Sequence, residues 1–255
     1  MQNEALSQKV LQTLASLHKE TGQVVLVHGG GPFIEEALSK AGIKSAFVNG
    51  QRVTTPEAME QVEMALKGKV NGKIVGYLNH LGVPAVGLSG KDGGMVRAVK
   101  KISSRHSAQD LGRVGNVAKV KTDLIKTLLV HEYLPVITCI ASDINGEDYN
   151  INGDNFAGAI AGALKASMYV CLTDVDGLYT DKDDPSSRLD KLRVSDVQTM
   201  IDNGTIAGGM IPKVESCIDA LQKGATKAII MNGTRPELII ELFKGNNPGT
   251  IIEQK

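Results

Sequence analysis

Apolar residues recur at Leu6, Val10, Leu14 and Leu17 with Gln, Lys, Ser and Thr between them, a helical period that predicts a helix over the first 20 residues. Glu20, Thr21 and Gly22 end that pattern. Val24 to Val27 then form a continuous aliphatic run, as expected of a strand covered on both faces. Three glycines follow, and a helical pattern resumes at Phe33. The alternation continues along the chain. Ala46 to Val48 reads as a strand, and Thr55 with Pro56 opens a long helix to about His80, with threonine as N-cap and proline in the first turn. Strands are expected at 84–88, 117–120, 135–140, 168–172, 228–231 and 250–252, and helices at 123–132, 154–164, 208–223 and 236–243. Such alternation predicts an α/β protein, a three-layer αβα sandwich with a mainly parallel central sheet. No internal repeat or linker is evident, and a subtle boundary is expected near 164–166, which predicts lobes of residues 1–165 and 166–255.

Composition narrows the function classes. Lys plus Arg equals Asp plus Glu, at 28 each, so neither a nucleic-acid partner nor an acidic disordered tail is expected. No apolar run approaches the roughly 20 residues of a membrane span, and the polar start is not a signal peptide. Cys139, Cys171 and Cys217 stand far apart in apolar runs, which predicts core thiols in a reducing, cytoplasmic setting.

In open α/β sheets ligands bind beyond the carboxyl ends of the strands, and every glycine-rich or polar cluster here follows a strand. Gly29-Gly30-Gly31 joins a buried strand to a helix, where bare backbone and free N–H groups suit an anion, and a purely structural turn is the alternative. It matches neither the Rossmann nor the P-loop fingerprint. In "DYNINGDN", Asn150, Asn152 and Asp154 alternate before an Ala/Gly helix; a hairpin leading into a capped helix accounts for Asp154 as the cap but poorly for the two asparagines. "LTDVDGLY" ends a buried strand, and its Asp174, Asp176 and Gly177 fall short of a calcium loop. In "GGMIPKV", Lys213 sits near the positive end of a helix dipole, where it does not serve helix stability; a phosphate ligand would explain it, and a solvated lysine is the bland alternative.

Together "VVLVHGGGP", "VNGQRVTTPEAMEQVEMALKGKVN", "GLSGKDGG", "DLGRVGNV", "YNINGDNFAGAIA", "LTDVDGLY" and "GGMIPKVESCIDAL" resemble the amino-acid kinase family, in family order and from about residue 5 onward. Within the family, "GQRVTT" followed by "GGMIPKV" is similar to the branch that acts on N-acetyl-L-glutamate. The resemblance implies the amino-acid kinase fold and transfer of a phosphoryl group from ATP to the substrate γ-carboxylate, in arginine biosynthesis. It implies that Gly30 and Gly31 hold substrate and the phosphoryl in transit, that Arg52 clamps the α-carboxylate, and that Asn150 binds substrate with Asn152 in support. Asp154 would orient the catalytic Lys213, which binds the ATP phosphates. The nucleotide would be bordered by Asp174, Val175, Asp176, Gly177, Leu178 and Tyr179, and by Thr205, Ile206, Ala207 and Gly209. Mg2+ would be held mainly by ATP oxygens and water. The lobe 1–165 would bind acetylglutamate and make dimer contacts, the lobe 166–255 would bind ATP, and a homodimer is expected.

The family's first strand, ahead of the helix that here occupies the first 20 residues, carries Lys-x-Gly-Gly, and Met1 to Glu4 contain no such motif. Three readings stand beside one another: a shortened form, a non-catalytic or weakly active ligand-binding relative, and a rearranged active enzyme. Another kinase, for a different amino acid or a nucleotide, is the nearest competing enzyme. Arg52 favours a substrate with an α-carboxylate.

Overall fold

A computed structural model describes residues 4–48, 50–102, 110–181 and 183–254. Met1 to Asn3, Asn49 and Lys182, which belong to stretches read above, lie outside the described residues. The chain forms two compact units, Met1–Phe156 and Ala157–Lys255.

The first unit opens with α1 (Glu4–Thr21), β1 (Leu26–His28) and α2 (Gly31–Lys40), then a hairpin of β2 (Ala46–Val48) and β3 (Gln51–Val53). The long helix follows as α3 (Pro56–Glu63), a π-helical stretch (Met64–Val70) and α4 (Asn71–His80). Thr55 caps it as expected, its hydroxyl accepting from the Ala58 N–H at 3.1 Å. Next come β4 (Ala85–Ser89), β5 (Val96–Lys100), β6 (Val114–Val120), α5 (Asp123–Val130), β7 (Leu134–Thr138), β8 (Ile140–Ser142), β9 (Asp148–Ile151) and α6 (Gly153–Leu164), which begins in this unit and ends in the second.

Strands β1, β7 and β4 form a parallel sheet with β7 in the centre. All five residues of β7 are buried, as a strand covered on both faces requires. One face packs on Leu11 and Ala15 of α1 and on Val70, Ile74 and Leu78 of the long helix. His28, Thr138 and Ser89 share one register at the carboxyl ends, so three buried polar residues mark the edge where a ligand is expected. Strands β5, β6, β9 and β8 close into a small barrel.

In the second unit, β10 (Tyr169–Thr173), β11 (Lys191–Arg193), β12 (Ala228–Asn232) and β13 (Gly249–Glu253) form a sheet of order β10-β12-β13-β11. Its β12–β13 pair is antiparallel and the other two pairs are parallel. Helices α7 (Val194–Asp202), α8 (Met210–Gln222) and α9 (Glu237–Phe243) complete it, around a core that includes Cys171, Cys217, Val214, Ile206 and Ile230. The C-terminal part of α6 lies on α8 through Gly158, where a Cβ would collide with the Ser216 carbonyl. That obstacle is backbone, which cannot swing aside. Gly158→Ala is therefore expected to cost about 1–3 kcal/mol, measured as a lower midpoint in urea at unchanged slope.

Several elements depart from the periodic pattern. The first strand starts two residues late and takes in His28, because the Val24 N–H is engaged by Nδ1 of His18 rather than by a ladder. The expected 135–140 strand is two strands, β7 and β8, and β3, β5, β8, β9, β11 and α7 were not legible as elements. The three cysteines are free and buried, and burial pushes the Cys139 thiol up to about 12.

Candidate active site

The glycine turn continues β1 and ends where α2 begins, at Gly31. Its three glycines have different surroundings. A Cβ on Gly30 would come within 2.7 Å of Leu66 Cδ2, so the Leu66 side chain would have to shift to admit one. A Cβ on Gly29 or Gly31 would meet nothing within 4 Å. Protein packing leaves those two positions open.

Arg52 projects from β3 with its side chain 8% exposed. Its guanidinium donates to Glu35 Oε2 at 2.5 Å, to the Ser45 hydroxyl, and to the Gly31 carbonyl oxygen at 3.3 Å. It also stacks 4.6 Å from the Phe47 ring centre. The hydrogen bond from Arg52, with one from Ser45, holds the Glu35 carboxyl below its ordinary range. The Arg52–Gly31 contact ties the hairpin to the glycine turn. Glu35 and Ser45 were absent from the sequence reading; Glu35 is one more charge on an amphipathic helix, with no signal of its partner.

The asparagine segment approaches the same place. Asn150 on β9 donates to the Thr54 hydroxyl at 3.4 Å, and that hydroxyl donates to the Arg52 carbonyl at 3.1 Å. The helix cap expected at Asp154 is instead Asn152, whose Oδ1 accepts from the N–H groups of Asp154 and Asn155 at 3.0 and 3.1 Å. The helix starts one residue earlier than its pattern, which moves Asp154 into the first turn, where its charge suits the dipole. Gly153 faces the glycine turn: a Cβ there would lie 3.7 Å from the Gly29 nitrogen. The first unit thus brings together Gly29–Gly31, Arg52, Asn150 and the start of α6. Asn152→Ala is expected to cost about 1 kcal/mol through loss of the cap, seen as a lower Tm. An unchanged Tm would show that the cap adds nothing here.

In the second unit, Asp174 and Val175 are exposed just past β10. Asp176 accepts from Asn232 at 2.7 Å and lies 3.8 Å from Arg235. Leu178 and Ile206 point into the core, so either could border a ligand through its backbone alone. Gly177 has φ +148°, and a Cβ there would press on the Thr250 hydroxyl, which accepts from the Leu178 N–H. Tyr179 pairs with Arg188, Thr205 donates its N–H to Asn203 Oδ1 at 3.0 Å, and Ala207 accepts from Met210 N–H at 3.1 Å. Gly208 (φ +56°) and Gly209 lead into α8 with open space where side chains would be, and Lys213 follows within the first turns, half-buried.

Comparison with known proteins identifies the family. The amino acid kinase family matches residues 1–232. The chain is 44% identical to an acetylglutamate kinase of Pelotomaculum thermopropionicum, covering 100% of this chain and 88% of that protein. It is 46% identical to an acetylglutamate kinase of Methanococcus aeolicus, covering 89% and 80%. Among solved structures, smu.665 from Streptococcus mutans UA159 superposes with a TM-score of 0.78 at 27% identity, over 96% of this chain and 91% of that one. A carbamate kinase from Giardia lamblia bound to AMP-PNP shares the fold at a TM-score of 0.71 and 18% identity, over 98% and 89%. The fold is accordingly the α/β amino-acid kinase fold, and with matches of this depth along nearly its whole length the chain belongs to the amino acid kinase family, among the acetylglutamate kinases.

Proposed function

We propose that this chain transfers the γ-phosphoryl group of Mg–ATP to the γ-carboxylate of N-acetyl-L-glutamate, giving N-acetylglutamyl 5-phosphate and ADP. The observation that supports the substrate side is the contact of Arg52 with Gly31, which puts a guanidinium suited to a carboxylate beside the glycine turn after β1. The similarity to acetylglutamate kinases at 41–46% identity favours an enzyme over a binding-only relative.

The chemistry asks little of acid–base groups. A carboxylate is ionised at neutral pH, so its oxygen attacks the γ-phosphorus directly. The new O–P bond forms as the bond to the β,γ-bridging oxygen breaks, and ADP leaves with that electron pair. Catalysis is then positioning and neutralisation of charge on the phosphoryl oxygens. In this reading Arg52 exchanges Glu35 for the substrate α-carboxylate, and Asn150 binds the substrate with Asn152 behind it. Gly30 and Gly31 offer N–H groups to the phosphoryl in transit. Asp154 and Lys213 complete the catalytic set, with Lys213 on the ATP phosphates. The open backbone at Gly208 and Gly209 before a 13-residue helix suits a polyphosphate. Asp174–Tyr179 and Thr205–Ala207 flank the nucleotide. Acetylglutamate belongs to the N-terminal lobe and ATP to the C-terminal one, in a cytoplasmic homodimer serving arginine biosynthesis.

The test is hydroxylamine trapping of the acyl phosphate. Hydroxamate is expected to form only with both N-acetylglutamate and Mg–ATP present, and not with glutamate or carbamate as acceptor. ATP hydrolysis without hydroxamate would overturn the proposal.

A further inference from the structure

The glycine turn is held from behind by two buried side chains. His28 closes β1 and is 4% exposed. Its Nδ1 lies 2.9 Å from the Gly29 carbonyl oxygen, and its Nε2 lies 2.9 Å from Nδ2 of Asn71, the first residue of α4. The same Asn71 nitrogen lies 3.0 Å from the Val136 carbonyl oxygen. An amide atom facing a carbonyl oxygen at that distance is the nitrogen, so Asn71 donates one N–H to Val136 and the other to His28. The His28 Nε2 therefore accepts, which leaves the ring proton on Nδ1, donating to Gly29. Burial keeps the ring pKa below its ordinary value, and the Lys67 charge acts the same way against the bond to Gly29. The seat of Asn71 is made by Gly87 on β4, where a Cβ would collide with Asn71 Oδ1.

A trans peptide is a planar unit whose C=O and N–H point in opposite directions. A Gly29 carbonyl anchored toward His28 therefore sends the Gly30 N–H away from it. The next peptide is fixed by other means, because the Gly30 carbonyl accepts from the N–H groups of Phe33 and Ile34 in the first turn of α2. Two successive amides are thus aimed by restraints on their carbonyls.

We infer that His28, kept in its Nδ1–H form by Asn71, is the positioning residue that aims the Gly30 amide at the transferring phosphoryl group. The effect on turnover rests on the kinase reading above, whereas the tautomer and the direction of the amide do not.

Asparagine and glutamine separate the two ring nitrogens. His28→Asn keeps a donor where Nδ1 stands, and His28→Gln carries its amide to the place of Nε2. In 15N spectra of the unliganded wild-type protein, His28 is expected to be protonated on Nδ1. Protonation on Nε2 would overturn the inference without any variant having to fold. Without substrates, the Gly30 amide resonance is expected to shift in His28→Gln and return toward its wild-type position in His28→Asn. In turnover, His28→Gln is expected to lose up to about 10²-fold in kcat, with KM for both substrates within about twofold, and His28→Asn to recover most of the loss. Equal losses in both variants that track Tm would mean packing alone and would sink it, as would unchanged turnover in both. Failure of the wild-type protein to form hydroxamate would instead remove the kinase reading and leave the spectroscopic outcomes to stand.

Discussion

Lys213→Met is expected to lower kcat about 10²–10³-fold, or roughly 3–4 kcal/mol of transition-state stabilisation. Lys213 stands in the first turns of α8, directly after the open Gly208–Gly209 backbone. A cation at a helix N-terminus opposes the macrodipole, so its removal does not cost the helix stability on that account. If Lys213 is there for the ATP phosphates, activity collapses while Tm stays level or rises slightly. A packing role gives the opposite signature, with a lower Tm and retained turnover, and that outcome would falsify the assignment. Lys213→Arg is expected to recover part of the rate, since charge is kept and shape is not.

The second large effect is on substrate affinity. Arg52→Lys is expected to raise KM for N-acetylglutamate roughly tenfold to a hundredfold, with KM for ATP little changed, because a planar two-point clamp becomes a single charge. The guanidinium already engages Glu35, Ser45 and the Gly31 carbonyl, so it is pre-oriented, and the substrate carboxylate has to displace the half-exposed Glu35. Glu35→Gln, which keeps the shape and removes the competing charge, is therefore expected to lower the same KM severalfold. Equal changes in both KM values for Arg52→Lys would argue for a damaged hairpin rather than a lost clamp. A Glu35→Gln variant with unaltered KM would show that Glu35 does not compete.

Much of this architecture is legible along the chain, because its causes are local. The long helix from Thr55 to His80 is announced by a threonine cap, a following proline and an unbroken helical period, and the cap bond is present at 3.1 Å. The strand expected at 135–140 is present in its first part as β7, buried at all five positions, and breaks before β8. The glycine turns at Gly29–Gly31 and Gly208–Gly209 could be found because consecutive glycines before a helix are visible in the sequence itself, although such a turn is often only structural.

What the chain conceals is set by residues far apart in sequence. Strands β5, β9 and β11 have three to five residues each and pair with the distant strands β8, β6 and β13, so no local period marks them. Whether Asp154 or Asn152 caps α6 turns on where the helix starts, which a short polar stretch of Asn, Gly and Asp does not specify. The sequence by itself determined the alternation of elements, the buried thiols and the types of residue that a kinase site of this family uses, since each follows from propensity, burial or motif. Only the tertiary structure decided that Arg52 is held by Glu35 and that His28 and Asn71 stand behind the glycine turn. Those pairs are 17 and 43 residues apart, and a hydrogen bond depends on angstrom-scale placement that no one-dimensional pattern contains.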